Sequence, residues 1–177
     1  FREAEIILKS IKTSELPRDL LINYYQTYSS FWGHYSISVA NNLYVKQQAA
    51  YQDSLFALID HTSWDYRMSQ ASYYIWRDTL KSKEIFKELL EIEEVGTPNY
   101  AMITHSYSRL CHHQKKYDEE KKYLMLSAIA DTRNATRENA SLQSLALIAY
   151  DEQNLADAFK FTQSAIDDVI SSGIHFR

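Results

Sequence analysis

Glycine and proline are scarce in this chain. Its 177 residues include only three Gly and two Pro, whereas an average sequence of this length carries about 20 of the two together. Because these residues form most tight turns and left-handed corners, their scarcity argues against a sandwich or a barrel. Gly33, Gly96 and Gly173 stand too far apart to form a glycine-rich phosphate-binding loop. Long helices joined by short turns remain, which predicts an all-α fold.

The net charge and the cysteine content exclude further kinds of site and partner. The net charge of −4 gives no global basic field that would attract a phosphate backbone. Lysines cluster at 115–116 and 121–122, but acidic residues at 118–120 alternate with them and favour a solvated helix face. The single cysteine, Cys111, excludes an internal disulfide and a cysteine-based zinc site. We therefore expect no direct nucleic-acid binding by this chain.

Capping residues predict where several helices begin. Pro17 and Pro98 occupy first-turn positions, and Thr97 precedes Pro98 as a cap. Asp118 and Asn154 are predicted caps of two later helices. Together with the 3.6-residue apolar period, these signals predict nine helices. They lie near residues 2–12, 17–33, 36–58, 63–78, 81–95, 98–115, 118–131, 136–152 and 155–171.

The predicted helices pair into hairpins that repeat along the chain. Corresponding turn positions fall at Tyr35, Leu80, Tyr117 and Leu155, at separations of 45, 37 and 38 residues. A period in the high thirties built from two helices is typical of an α-solenoid. The pattern of small and apolar residues resembles the tetratricopeptide repeat (TPR) most closely. It predicts an α-α superhelix of about four helical hairpins, in one domain over 1–177.

The four repeats match that pattern unequally. In the first repeat, Gly33-His34-Tyr35 is predicted to form the turn between the two helices. The fourth repeat matches at Leu142, Leu145 and Ala149 among other positions. The third carries Glu120 where the pattern has a small residue, and the second, with Leu80 at its turn, matches least well.

One segment resembles a specific family. Residues 126–153 read LSAIADTRNATRENASLQSLALIAYDEQ, and residues 51–55 read YQDSL. Both are similar to a family of Bacteroidetes regulatory proteins that have N-terminal TPR-like repeats, a membrane-spanning helix and a cytoplasmic C-terminal region for transcriptional regulation. The resemblance implies that this chain is the periplasmic sensor fragment of a longer protein. It also implies membrane attachment only through the missing C-terminal part, and it supplies no catalytic residues.

The resemblance also draws attention to short modification motifs. Asp53-Ser54-Leu55 and Asp78-Thr79-Leu80 look like the acceptor tripeptide for O-glycosylation in that phylum. The sequons that begin at Asn134 and Asn139 are interpreted instead as helix-cap and helix residues.

The histidines near Cys111 invite a metal hypothesis, which their spacing does not favour. His105 and His112 would lie two helical turns apart, about 10 Å along the axis, which is too far for one ion. His112 and His113 would point about 100° apart on a helix. We therefore expect no metal and no cofactor.

A concave groove is the predicted ligand-binding surface. In TPR stacks, the first helix of each hairpin lines this groove. Arg109 is the predicted anion reader, because its planar guanidinium can hold a carboxylate with two hydrogen bonds. Aromatic neighbours such as Phe31 and Trp76 could equally pack between hairpins. The predicted groove residues are Asn23, Thr27, Met68, Ser72, Met102, His105, Arg109, His112, Gln143 and Tyr150.

Three functions remain open at this stage. The first is a non-catalytic module that binds a peptide or protein partner in the groove and serves as a periplasmic sensor. The second is a scaffold whose repeats self-associate into a homo-oligomer. The third and most remote is a metal-dependent enzyme that uses His105, His112 and nearby acids.

Overall fold

The computed structural model describes residues 2–39, 42–133 and 140–171. Within these ranges every regular element is helical, with one 3-10 turn at Thr13–Glu15 and no strand. The α-helices are α1 (Arg2–Ser10), α2 (Arg18–Val39), α3 (Asn42–Leu58), α4 (Trp64–Tyr74), α5 (Thr79–Ile92), α6 (Pro98–His113), α7 (Tyr117–Arg133), α8 (Ala140–Asp151) and α9 (Leu155–Ser171). None of the described helices is long and apolar enough to cross a membrane.

The chain forms two compact units, Phe1–Tyr66 and Arg67–Arg177, whose boundary falls inside α4. The expectation of a single domain over 1–177 stays a prediction.

Aromatic packing holds the first unit together. Helices α2 and α3 form an antiparallel hairpin, in which the buried ring of Tyr28 lies 4.2 Å from the ring of Tyr51, centroid to centroid. Trp32 and Leu55 are buried in the same unit. The guanidinium of Arg18 donates a 2.6 Å hydrogen bond to the carbonyl of Leu58, which ties the start of α2 to the end of α3.

Small residues and branched side chains form the core of the second unit. Helices α6 and α7 form one hairpin, and α8 and α9 form the next. Leu124 and Ala128 of α7 pack against Leu142 and Leu145 of α8 and against Ala165 of α9. Alternation of large and small side chains lets helices pack closely, which is how each hairpin buries the apolar face of its neighbour.

Two turns of the second unit share one backbone conformation. Lys115 (φ 59°) and Gln153 (φ 63°) are the two non-glycine residues with positive φ in the described part of the chain. Each is followed by a 2.9 Å backbone bond that closes the preceding helix, from Lys116 N to Cys111 O and from Asn154 N to Ala149 O. This is the Schellman arrangement of helix ends. It recurs after 38 residues, which confirms the repeat period between the third and fourth hairpins.

Most of the predicted caps are confirmed. The Thr97 hydroxyl accepts a 3.1 Å bond from the N–H of Tyr100, with Pro98 in the first turn. At the start of α9 the Asn154 side chain accepts a 3.2 Å bond from the backbone N–H of Asp157 and donates a 2.7 Å bond to the Asp157 carboxylate. The prediction for Asp118 was wrong, because α7 already begins at Tyr117 and Asp118 lies in its first turn. An acid there still interacts favourably with the helix dipole.

The predicted turn at Gly33-His34-Tyr35 was also wrong. Helix α2 continues through these residues to Val39. A Cβ at Gly33 would lie 2.8 Å from Nε2 of the Gln48 side chain on α3, which is the end of a flexible side chain and can move. The other predicted turn positions fall at helix starts: Leu80 is the second residue of α5, and Tyr117 and Leu155 are the first residues of α7 and α9. The positions of Asn134, Asn139 and Gly173 lie outside the described residues.

Candidate functional site

A cavity of about 290 Å³ opens beside the middle of α6 in the second unit. Its lining comes from the turn after α4 and from α6, α7 and α8, and it combines three basic side chains with one acid and one large aromatic ring. The lining residues are Trp76, His105, Ser108, Arg109, His112, Glu120, Leu124 and Ser144. Three predicted groove residues, His105, Arg109 and His112, are therefore brought together.

Arg109 is an exposed cation in this cavity. None of the described carboxylates forms an ion pair with its guanidinium. A guanidinium with its donors unused is well suited to bind a planar anion, because two parallel N–H groups match the two oxygens of a carboxylate.

A chain of buried hydrogen bonds fixes His105. The Ser127 hydroxyl donates to the carbonyl of Ala101 at 2.9 Å, and the Ser141 hydroxyl lies 2.8 Å from Ser127 Oγ. The Nδ1 atom of His105 lies 2.9 Å from Ser141 Oγ. Ser127 and Ser141 are fully buried, so these bonds are shielded from water. We call this chain the serine relay.

The serine relay determines the tautomer of His105. A carbonyl oxygen only accepts, so the single hydroxyl proton of Ser127 goes to Ala101. The proton of Ser141 must then go to Ser127, which leaves Ser141 Oγ as an acceptor for His105 Nδ1. His105 therefore carries its proton on Nδ1, and Nε2 of the neutral ring is an acceptor.

The surroundings of His105 favour this neutral form. Burial first, and then the neighbouring Arg109 guanidinium, lower the pKa of His105 below its ordinary value. Within the described part of the chain, no side chain or backbone group hydrogen-bonds to its Nε2 atom. The ring lines the cavity, so that acceptor is available to a ligand.

Glu120 is a buried acid that also lines the cavity. The Nδ1 atom of His112 lies 3.1 and 3.0 Å from the two carboxylate oxygens of Glu120, which is only 8% exposed. Because both oxygens face His112, the negative charge of Glu120 is partly compensated on the side of the cavity. In the sequence, Glu120 stands out only as a departure from the repeat pattern, which has a small residue at this position. That departure was the signal that could have identified it as a site residue.

Trp76 forms the edge of the cavity. Its side chain is 57% exposed, and its ring lies 4.5 Å from the ring of His113, centroid to centroid. A large ring that stays exposed at the edge of a cavity offers a flat surface to a bound ligand.

The other predicted groove residues lie elsewhere. Met68 is buried in the core and offers no surface to a ligand, which corrects that prediction. Ser72 is half-buried on α4, and Met102 is exposed on α6 without lining the cavity. Asn23 and Thr27 are exposed on α2 in the first unit.

Gln143 and Tyr150 line a second, larger depression between α8 and α9. It encloses about 1010 Å³ and is almost entirely apolar. We call it the α8/α9 groove. Its most exposed side chains are Leu147, Tyr150, Leu155, Phe159 and Ile170, each at least 60% accessible. Exposed apolar surface of this extent is uncommon on an isolated protein and is typical of an interface.

The titratable groups near α6 do not form a metal centre within the described residues, where no group of three His, Cys, Asp or Glu side chains converges. Cys111 is buried, and burial raises the pKa of its thiol to about 11, with a further contribution from Glu119. A thiol with a raised pKa is a poor nucleophile at neutral pH.

Lysines 115–122 behave as ordinary surface residues. Lys121 pairs with Glu152, and Lys116 lies 3.8 Å from Glu119. Lys122 lies over the ring of Tyr123. Lys116 and Lys121 therefore each have a carboxylate partner, and Lys116 pairs with an acid of the alternating run.

The two candidate glycosylation tripeptides have structural roles of their own. Ser54 lies within α3, where its hydroxyl donates a 3.0 Å bond to the carbonyl of Ala50. The Asp78 side chain caps α5 by accepting from the N–H of Lys81. Modification at Ser54 or Thr79 stays a prediction.

Comparison with known protein families identifies the chain at this point. The family model of the SusR N-terminal TPR domain matches residues 1–177, which is the whole of this chain. The chain belongs to this family. No curated protein and no solved structure matches it.

Membership confirms the predicted α-α superhelix class, with which the all-helical structure agrees. It also confirms the TPR part of the resemblance noted in the sequence. TPR domains are in general non-catalytic modules for protein interaction, so the coarse functional class of this SusR-type TPR domain is a binding module.

Proposed function

We propose that this SusR-type TPR domain is the periplasmic sensor portion of a membrane-tethered transcriptional regulator. In this proposal it binds a peptide or protein partner through the surface around α6. Attachment to the membrane and regulation of transcription belong to parts of the protein beyond these residues.

One observation carries the proposal. Arg109, a cation without a described ion-pair partner, lies with the hydrogen-bonding edge of His105 and the exposed ring of Trp76 around one cavity. Cationic and aromatic groups of this kind contribute most of the binding energy in many protein interfaces. The serine relay and the His112–Glu120 pair hold the neighbouring side chains in place, which lowers the entropic cost of binding.

A test of the sensor role replaces Arg109 in the full-length protein in its native host. Arg109→Gln removes the charge and keeps much of the side-chain volume. Genes that respond to deletion of the regulator are identified by RNA sequencing, and their response is then measured in the variant. We expect the variant to lose most of that response.

Lys122→Gln is the matched control, because it removes an exposed cation from α7 outside the cavity. We expect it to behave as the wild type. An unchanged response in Arg109→Gln would show that the cavity has no part in sensing. For the location, protease added after permeabilisation of the outer membrane should digest the repeat domain and spare a cytoplasmic control protein; protection of the domain would exclude the periplasm.

A second candidate function is self-association, and the α8/α9 groove favours it. Its exposed apolar side chains could pack against the same face of a second copy, which would bury them from water. In that case the repeats position the effector part of the regulator rather than sense a ligand. The oligomeric state measured in solution separates the two functions.

A further inference from the structure

The cavity beside α6 contains two ligand-binding groups of different chemistry on the same helix. Arg109 provides donors with a positive charge. His105, four residues earlier, provides an acceptor at Nε2, because the serine relay holds its only proton on Nδ1. The two residues lie one helical turn apart, about 6 Å along the axis, on the same face of α6.

A simple anion uses only one of these groups. Chloride, sulfate or a plain carboxylate such as acetate can pair with Arg109, but none of them has a proton to donate to His105 Nε2 at neutral pH. A buried or half-buried acceptor without a donor costs free energy when a ligand displaces its water. A ligand that carries an N–H or O–H beside its carboxylate satisfies both groups.

We propose that this cavity binds a carboxylate that has a hydrogen-bond donor on the adjacent carbon. Arg109 binds the carboxylate, and the Nε2 atom of His105 accepts a hydrogen bond from the N–H or O–H. Two sources share this chemistry: the C-terminal end of a peptide and a small 2-hydroxy acid. The assignment rests on the proposed function in that it names the ligand class of the same cavity.

Cavity size and charge agree with such a ligand. A volume of about 290 Å³ lies at the small end of the range for ligand pockets, so it suits the end group of a ligand rather than a long segment. The carboxylate of Glu120 also lines the cavity, but both of its oxygens face His112. The donor side of the ligand can therefore lie toward His105 and Glu120, and its carboxylate toward Arg109.

The test uses two matched pairs of small acids with the 177-residue chain. N-acetylglycine is compared with N-acetylsarcosine, in which a methyl group replaces the amide proton. Lactate is compared with 2-methoxypropionate, in which a methyl group replaces the hydroxyl proton. Affinities are measured by NMR titration. We expect the acid with the proton to bind about fivefold more tightly in at least one pair, as one lost hydrogen bond predicts.

Two variants assign the preference to residues. Arg109→Gln should weaken binding of both members of the pair at least about tenfold, as expected for loss of a charged hydrogen-bonding partner. His105→Phe should abolish the preference for the acid that carries the proton, because the ring stays and the acceptor is lost. Lys122→Gln should change neither value.

A direct measurement supports the test if His105→Phe folds poorly. Two-bond ¹H–¹⁵N correlation spectra of the wild-type chain should show His105 with its proton on Nδ1 and should show the Nε2 resonance shifting when N-acetylglycine or lactate is added. A proton found on Nε2 at neutral pH would overturn the assignment, and so would equal binding within both pairs or no binding dependent on Arg109.

The outcomes also distinguish the two sources and the two proposals. Discrimination within the N-acetylglycine pair alone identifies a peptide end, and discrimination within the lactate pair alone identifies a hydroxy acid. If no small acid binds but Arg109→Gln still abolishes the transcriptional response, the ligand class is wrong and the sensor function stands. If the acids bind as expected and the response is unchanged, the cavity is a binding site and the sensor function is wrong.

Discussion

At the scale of single residues, the serine relay is the most constrained feature of the second unit. It joins α6, α7 and α8 through Ala101, Ser127 and Ser141 and ends on His105. A buried polar network stabilises a protein only when every member has a partner. Here each hydroxyl both donates and accepts, so the removal of one member leaves another without a partner.

Ser127→Ala should therefore lower the free energy of unfolding by about 2 kcal/mol, because the hydroxyl of Ser141 loses its buried acceptor. Urea denaturation followed by circular dichroism measures the change. The double variant Ser127→Ala/Ser141→Ala should cost less than the sum of the two single variants. Ser171→Ala is the control: its exposed hydroxyl bonds only to Asp168 O, so we expect a change within about 0.5 kcal/mol. A small effect of Ser127→Ala would mean that the relay contributes little.

His105 should make stability depend on pH. Its pKa is lowered in the folded protein, by burial and then by Arg109, while the unfolded chain keeps the ordinary value near 6.5. Below that value the unfolded state binds a proton that the folded state does not, so stability falls as the pH decreases. The charged and titratable groups that line the same cavity are Arg109 and His112 on α6 and Glu120 on α7.

Unfolding measured between neutral pH and about pH 5.5 should show this loss in the wild type and a smaller loss in His105→Gln. Glutamine retains a donor for Ser141 but does not titrate. Equal slopes in the two proteins would contradict the neutral assignment of His105.

At the scale of the helical elements, the backbone conformation of the hairpin turns determines which substitutions raise the free energy of unfolding. Lys115 and Gln153 occupy the left-handed conformation that closes α6 and α8. In this conformation a residue with a Cβ is about 1 kcal/mol less stable than glycine. The repeat pattern has glycine at this point of the turn, so these two residues depart from it at a cost in stability.

Lys115→Gly should therefore raise the free energy of unfolding by about 0.5–1 kcal/mol, since the relief of the left-handed backbone outweighs the added freedom of the unfolded chain. The same exchange at Lys122, in the middle of α7, should lower it by about 1 kcal/mol. Thermal and urea denaturation of both variants provide the comparison. Destabilisation by both would show that the turn at Lys115 is not left-handed in solution.

Sequence reasoning succeeded where the signal is local and failed where partners are distant in the chain. Helix starts could be predicted at Thr97, Pro98 and Asn154, because a capping residue bonds to a backbone N–H only three residues away. The turn predicted at Gly33 was wrong, since a glycine two residues before an aromatic residue fits both a repeat turn and the interior of a helix.

The site shows the same division. The repeat alignment predicted that His105, Arg109 and His112 line one groove, and all three line the cavity; that they bind a ligand stays a prediction. The serine relay could not be predicted, because Ser127 and Ser141 meet only once α7 and α8 pack together. Met68 shows the opposite error: a position that faces a groove in an average repeat is buried in this one.

At the scale of the whole molecule, the question is whether the α8/α9 groove stays exposed. Phe159 is 72% accessible and lies in this groove, while Leu80 is 73% accessible on α5 and lies outside it. The pair separates the effect of the groove from the effect of exposed apolar surface in general.

If copies associate through the groove, the 177-residue chain should show a sedimentation coefficient that rises with concentration. Phe159→Glu should suppress this rise, because it places a charge in the buried contact. Leu80→Glu introduces the same charge and should leave the association unchanged. A chain that stays monomeric at every concentration while it binds a ligand would argue against self-association.

Cys111 can report on local opening of the α6/α7 hairpin. The chain has one thiol, and it is buried with a raised pKa, so reagents such as iodoacetamide reach it only when the hairpin opens. The rate of alkylation, compared with that of the unfolded chain, therefore measures the free energy of local opening beside the cavity. A ligand held by Arg109 and His105 on the same helix should slow the alkylation of Cys111. Mass spectrometry of the alkylated chain can therefore reveal occupancy of the cavity before the ligand is known.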